Sequence, residues 1–235
     1  MALAQGLAEA YSTRGFLRFA SWDWTGSEAD FDRANELDPN DSVGLRRYGE
    51  LLGGLGRLPE SIAVEKKAVD LDPLSAWTWQ HLSRFQIAAG LLGDARESAQ
   101  HALEINPDSP IARDQLGVAT LLAGDGLEAT RAFGAHKVPA RRLWGMALAE
   151  HALGHRRESQ QALDQLITES GQDSAFEIAE VYAWRGEKDQ AFAWLDKAYV
   201  QQRIGMCFIK ANAFLKGLEA DPRFRSLLRK MNLPE

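Results

Sequence analysis

From Leu71 to Pro107 the chain reads LDPLSAWTWQHLSRFQIAAGLLGDARESAQHALEINP, two helical patterns separated by one glycine. In the first, Trp79, Leu82, Phe85 and Gln86 follow helical spacing, and the pattern stops at Gly90. In the second, Ala95, Ala99, Ala102 and Leu103 share a face. Asp94 followed by Glu97 reads as a capping box with Asp in the Ser/Thr place. Pro107 ends the unit, because the residue before a proline is pushed out of the α region.

The same marks recur on either side. Pro39, Pro73 and Pro107 are 34 residues apart, and Gly56, Gly90, Gly124, Gly154 and Gly186 are spaced 34, 34, 30 and 32. Two independent markers in one register define an internal repeat. Asp125 with Glu128, and Thr25 with Glu28, repeat the capping signal, and Ser109-Pro110 places a cap residue before a proline at the first helical position. The unit is helix, tight turn, helix, tight turn. Small residues (Gly15, Gly49, Ser83, Gly117, Ala147 and Ala179) mark one first-helix position, and Ala34, Ala68, Ala102 and Ala198 one second-helix position. Large apolar residues such as Leu82, Phe133, Leu163 and Leu195 stand between them, the alternation that helices packed about 8–10 Å apart require.

These marks resemble the tetratricopeptide repeat (TPR). The resemblance covers about nine-tenths of the chain and implies an all-α, right-handed superhelix with a concave groove. Six repeats are expected, at 8–41, 42–75, 76–109, 110–139, 140–171 and 172–205, with 206–235 as C-terminal capping helices of one continuous domain. There Asp221 and Pro222 open a helix whose Phe224, Leu227, Leu228 and Met231 share a face, read as a seal over the open end. A narrower resemblance rests on Trp22-Asp23-Trp24 and on the ending Phe208-Ile209-Lys210 through Asp221-Pro222-Arg223-Phe224. It is to the C-terminal TPR regions of bacterial multidomain signalling proteins and transcriptional regulators.

Composition narrows the function. The 235 residues are 45% hydrophobic and 26% charged, with a net charge of −6, which disfavours a general phosphate-backbone binder and leads us to expect no nucleic-acid partner. Cys207 is the single cysteine, so neither an intrachain disulfide nor a multi-thiolate zinc site forms. No run approaches the roughly 18 apolar residues of a membrane span, so no membrane insertion is expected. The start has no basic region typical of a secretion signal. A cytoplasmic protein is expected, or a periplasmic one if the chain is cut from a longer membrane-spanning protein.

Catalytic motifs are absent from the sequence. Gly53-Gly54-Leu55-Gly56 lacks the Lys-Ser/Thr of a phosphate loop and reads as a helix end and turn. His151 and His155 are spaced like a zinc pair but flank the turn at Gly154 without a third ligand. No metal, cofactor or catalytic residue is expected, and the chain is read as a non-enzyme.

What the TPR resemblance implies is binding through the concave face of the first helices. Carried onto this register, the groove positions include Arg46, Trp77, Gln80, Arg84, Asp114, Arg141, Trp144, His151, Phe176 and Trp184. Large aromatics and arginines are the residue types that anchor interfaces. The Lys/Asn carboxylate clamp of some family members is missing: Ser12, Phe16, Arg46 and Glu50 stand at its positions. The expected function is a protein–protein interaction module serving a bacterial signalling or regulatory protein. It would hold a peptide or protein surface in the groove, with arginines on acidic groups. The alternative is a ligand-sensing or self-associating regulatory domain of a fused effector. A closed pocket inside the superhelix favours the second reading and an open groove the first.

Overall fold

The computed structural model describes residues 2–234. Twelve α-helices come first, in six antiparallel pairs: α1 (Ala2–Ala20) with α2 (Trp24–Leu37), α3 (Ser42–Gly54) with α4 (Leu58–Leu71), α5 (Ala76–Ala88) with α6 (Leu92–Ile105), α7 (Pro110–Leu122) with α8 (Gly126–Gly134), α9 (Pro139–Ala152) with α10 (Arg156–Ser170), and α11 (Ala175–Trp184) with α12 (Lys188–Val200). Two 3-10 segments, Ile204–Ala211 and Ala213–Leu218, lead to α13 (Pro222–Lys230). There is no strand among the described residues, and no helix is long and apolar enough to cross a membrane.

Local chemistry explains the boundaries. The turn between paired helices needs one residue with positive φ, and Gly56, Gly90, Gly124, Gly154 and Gly186 supply it with φ from 79° to 94°. Helices α2, α4 and α6 stop two residues before Pro39, Pro73 and Pro107. Asp125 caps α8 by accepting from Glu128 N, and Ser109 caps α7 by accepting from Ala112 N. Two capping expectations are corrected. The first α2 turn is held by Asp23, which accepts from Gly26 N, so Thr25 lies inside the helix. Helix α6 starts at Leu92, so Asp94 sits in its first turn, where a carboxylate complements the helix dipole without capping it.

Within pairs, small residues admit large ones. A Cβ on Gly117 would lie 2.5 Å from the Phe133 ring, which fills that space. A serine ladder adds to this. Ser27 Oγ donates to Gly15 O at 2.8 Å, Ser61 Oγ to Gly49 O at 2.8 Å and Ser159 Oγ to Ala147 O at 2.7 Å. In α5–α6 the direction reverses, with Ser83 Oγ donating to Ala95 O at 2.8 Å. These hydroxyls are buried where the backbones approach most closely, and each has its partner.

The C-terminal segment is the main correction. Residues 206–235 were read as capping helices, and α13 is the helix expected from Asp221 and Pro222, but residues 204–218 form two 3-10 segments laid against the first helices as a buried strap. Met206, Cys207, Leu215 and Leu218 are essentially inaccessible, in one core cluster with Phe19, Phe85 and Phe176. The physical reason is that the C-terminal halves of the first helices present apolar surface to the concave side, and the strap removes it from water.

Helix α13 then bridges the two ends of the array. Arg223 Nη1 reaches Asp189 at 2.8 Å and Lys230 Nζ reaches Asp196 at 3.3 Å, both on α12. On the other side Trp24 Nε1, on α2, donates to Met231 O at 2.7 Å. Trp22, between α1 and α2, stacks on Tyr199 of α12 with ring centroids 5.2 Å apart and planes at 19°. First and last pairs are in contact, so the solenoid closes on itself.

Candidate functional site: a recess on the concave face

The strap is seated by close contacts along its length. Cys207 Sγ donates to Phe19 O at 3.6 Å, and burial pushes its thiol up to about 12. A Cβ on Gly54 would lie 2.6 Å from Cys207 O, so the strap backbone passes where only glycine leaves room. The Phe208 ring lies 5.6 Å from Phe19 and 6.2 Å from Phe85, and the Arg84 guanidinium covers it at 4.6 Å. Phe214 meets Trp184 edge-on at 5.4 Å and Trp144 at 6.2 Å. Lys216 Nζ donates to Ala88 O at 3.2 Å.

The strap thereby covers the C-terminal ends of α1, α3 and α5 and the Phe176 end of α11, and leaves open the N-terminal ends of α3 and α5, where Val43 and Trp77 are exposed. Between α5, α7, α9, α11 and the strap remains a recess of about 230 Å³. Five of the sequence-derived groove residues line it: Arg84, Asp114, Arg141, Trp144 and Phe176. The other five do not. Trp77 stands at the outer rim, 52% exposed, with the Arg46 guanidinium 5.8 Å from its ring. Gln80 is buried behind the wall and accepts from Ser109 Oγ at 2.7 Å. Trp184 packs under Phe214, and His151 does not line the recess.

The arginines were expected to await an acidic partner, and two of the three are already used. Arg46 pairs with Glu50 on its own helix, which also faces His81 Nδ1 at 3.6 Å. Arg141 spans Asp114 at 3.1 Å and Glu177 at 3.5 Å, and His136 Nε2 lies 3.0 Å from the other Asp114 oxygen. Arg84 is different. Among the described residues no carboxylate lies within ion-pair distance of it, and Glu50, Asp114 and Glu180 act on it only through space. Partial burial lowers its pKa, and the nearby carboxylates counter this only from a distance.

Opposite stands Glu180, buried on α11, which accepts from Asn212 Nδ2 of the strap. Burial first, then the neighbouring Glu177 carboxylate, raises its pKa to about 8. At neutral pH it is mainly a neutral acid. Trp144 Nε1 is buried and acts on Glu180 as a hydrogen-bond donor, which counters part of that rise. The strap residues of the recess, Phe208, Asn212 and Phe214, were not named as binding residues in the sequence reading. Their one signal was the cluster of apolar residues from Met206 to Leu215 just past the end of the repeat.

No family model matches the chain, and no curated protein matches it in sequence. Solved structures do match in fold. Pseudomonas aeruginosa PilF has a TM-score of 0.62 at 14% identity, over 93% of this chain and 99% of that one. PilW, described as a type IV pilus biogenesis factor, has 0.63 at 22%, over 69% and 77%. The TPR protein TTC0263 of Thermus thermophilus has 0.63 at 16%, over 82% and 99%. The chain is an all-α TPR solenoid.

Proposed function

We propose that this chain is a non-catalytic interaction module that holds a polypeptide partner against the open half of its concave face. The observation that carries the reading is the rim. Val43, Trp77 and Ile111 occupy the same position of three successive first helices, and Trp77 and Val43 are about half exposed although both are large and apolar. An exposed tryptophan backed by an arginine is the kind of residue that anchors an interface. The TPR fold and the residues of the narrower resemblance support a role serving a bacterial signalling or regulatory protein, with the repeats as one part of it. The recess supports the non-catalytic reading chemically. Its lining holds no Ser, Cys, Lys or His, and its carboxyl groups are tied to Arg141 and Asn212, so no nucleophile and base stand together.

The alternative, a ligand-sensing domain, is favoured by one specific observation. The array is closed by the Trp22–Tyr199 stack and by α13, and the concave face ends in a pocket rather than a through groove.

The test is capture of partners from a lysate of the source organism on the immobilised chain, beside a Trp77→Ala/Val43→Ser variant. Both side chains are exposed enough that helicity should be unchanged. A protein retained by the wild type and lost by the variant is expected, with an affinity of about micromolar, since a segment ordered on binding loses entropy. Equal retention by both would overturn the rim as the contact surface.

A further inference from the structure

We propose that the recess behind the Trp77 rim is a binding site for a small free monocarboxylic acid with an aromatic or branched apolar body. The site adjoins the polypeptide surface at Ile111 but does not depend on Trp77 or Val43, which lie outside its lining.

Among the described residues, the ion pairs of the recess leave one of its two guanidinium groups without a contacting carboxylate. Asp114 and Glu177 share Arg141 as their ion-pair partner, with His136 on the far side of Asp114. Glu180 adds little negative charge at neutral pH, because burial keeps its carboxyl mainly protonated. Arg84 remains, half-buried and without a carboxylate contact among the described residues. Its guanidinium is held face-on at 4.6 Å by Phe208. A guanidinium stacked on a ring keeps its in-plane N–H groups for a planar acceptor, and a carboxylate matches that fork with two parallel hydrogen bonds. A half-buried guanidinium with no contacting carboxylate gains charge-assisted hydrogen bonds when a ligand carboxylate reaches it.

The rest of the recess specifies the body of the ligand. Phe176, Phe208, Phe214 and Trp144 form its apolar walls. The volume of about 230 Å³ is below the roughly 300–1,000 Å³ of pockets for drug-sized molecules, so the ligand is smaller. The strap forms the floor, pinned by Phe208, Asn212 and Phe214. A polypeptide backbone therefore has no path through the recess, and the smallness of the cavity suits a free acid that enters whole.

The experiment is isothermal titration calorimetry of the full chain with benzoate, phenylacetate and 3-methylbutanoate. Their amides are the uncharged controls, and a blocked glutamate-containing tripeptide is the presented-carboxylate arm. At least one free acid is expected to bind saturably, its amide and the tripeptide not. Arg84→Met should weaken that acid at least about tenfold, a loss of about 1.4 kcal/mol, while Trp77→Ala leaves it unchanged. If Arg84→Met fails to fold, the indole N–H resonance of Trp144 decides. It is assigned by its loss in Trp144→Phe and should shift in the wild type when acid is added. Absence of both saturable heat and this shift up to about 10 mM acid would overturn the proposal. So would equal binding of acid and amide, or binding of the tripeptide alone.

Discussion

Trp22 occupies the turn position that glycine holds in the five later pairs, and it does so at a φ of 63°. For a bulky residue the left-handed region costs roughly 1–2 kcal/mol, and the stack on Tyr199 offsets it. Glu180 is the other residue held away from its ordinary state. Its carboxyl titrates near 8 when folded and near 4.5 otherwise, so the folded chain keeps a proton that the unfolded chain releases. Its contribution to stability is complete below about 4.5 and is lost as pH rises through 8. In Glu180→Gln that site stays neutral at every pH. The stability of the wild type relative to the variant should therefore fall between pH 5 and 8, by up to about 1.4 kcal/mol per pH unit. Denaturation across that range measures it, and a constant difference would show that the carboxyl is not held protonated. Gly54 is the third position at this scale. Gly54→Ala sets a methyl group 2.6 Å from Cys207 O and should cost about 1–3 kcal/mol by chemical denaturation. A neutral substitution there would mean that the strap is not seated against α3.

At the level of elements, the helix pairs were legible because three local signals coincide: a proline after the second helix, a glycine in the turn, and small residues at fixed positions. Ala102 tests that register. It is fully buried on α6, and Ala102→Leu should overpack the third pair by about 1–3 kcal/mol in a thermal or denaturant melt. The serine ladder went unread, because a serine on a helix face looks the same in sequence whether it meets water or a facing carbonyl. The strap was illegible for a related reason. Its apolar residues, from Met206 to Leu218, follow neither period 3.6 nor period 2, since two short 3-10 segments with a break at Asn212 set their directions. A helical reading of that stretch has no pattern to rest on. Of the residues named from the sequence, Arg84, Asp114, Arg141, Trp144 and Phe176 come together in one recess, because they sit on regular helices at positions the repeat defines. Gln80 and Trp184 share those positions in register and are diverted by contacts no repeat specifies, Ser109 for Gln80 and Phe214 for Trp184.

The whole molecule behaves as a closed array rather than an open one. In an open solenoid each repeat touches only its neighbours, and the ends fray independently. Here Trp22, Trp24, Tyr199 and Met231 join the ends, and the strap ties α1, α3, α5 and α11 to each other. A double-mutant cycle between Trp22→Ala and Tyr199→Ala should give a coupling of about 0.5–1.5 kcal/mol, the value of a stacked aromatic pair. Zero coupling would leave the ends independent. The central claim, that the concave face is floored by the chain's own strap, is tested most directly by the single thiol. Cys207 lies mid-strap, 1% exposed, with its thiolate strongly disfavoured. The measurement is the rate at which the native chain reacts with a thiol reagent at pH 8, against the same chain in denaturant. The native rate should be more than about a hundredfold slower, since reaction requires the strap to open. A native thiol that reacts as fast as the denatured one would contradict the account, because the groove would then be empty of its own C-terminal segment.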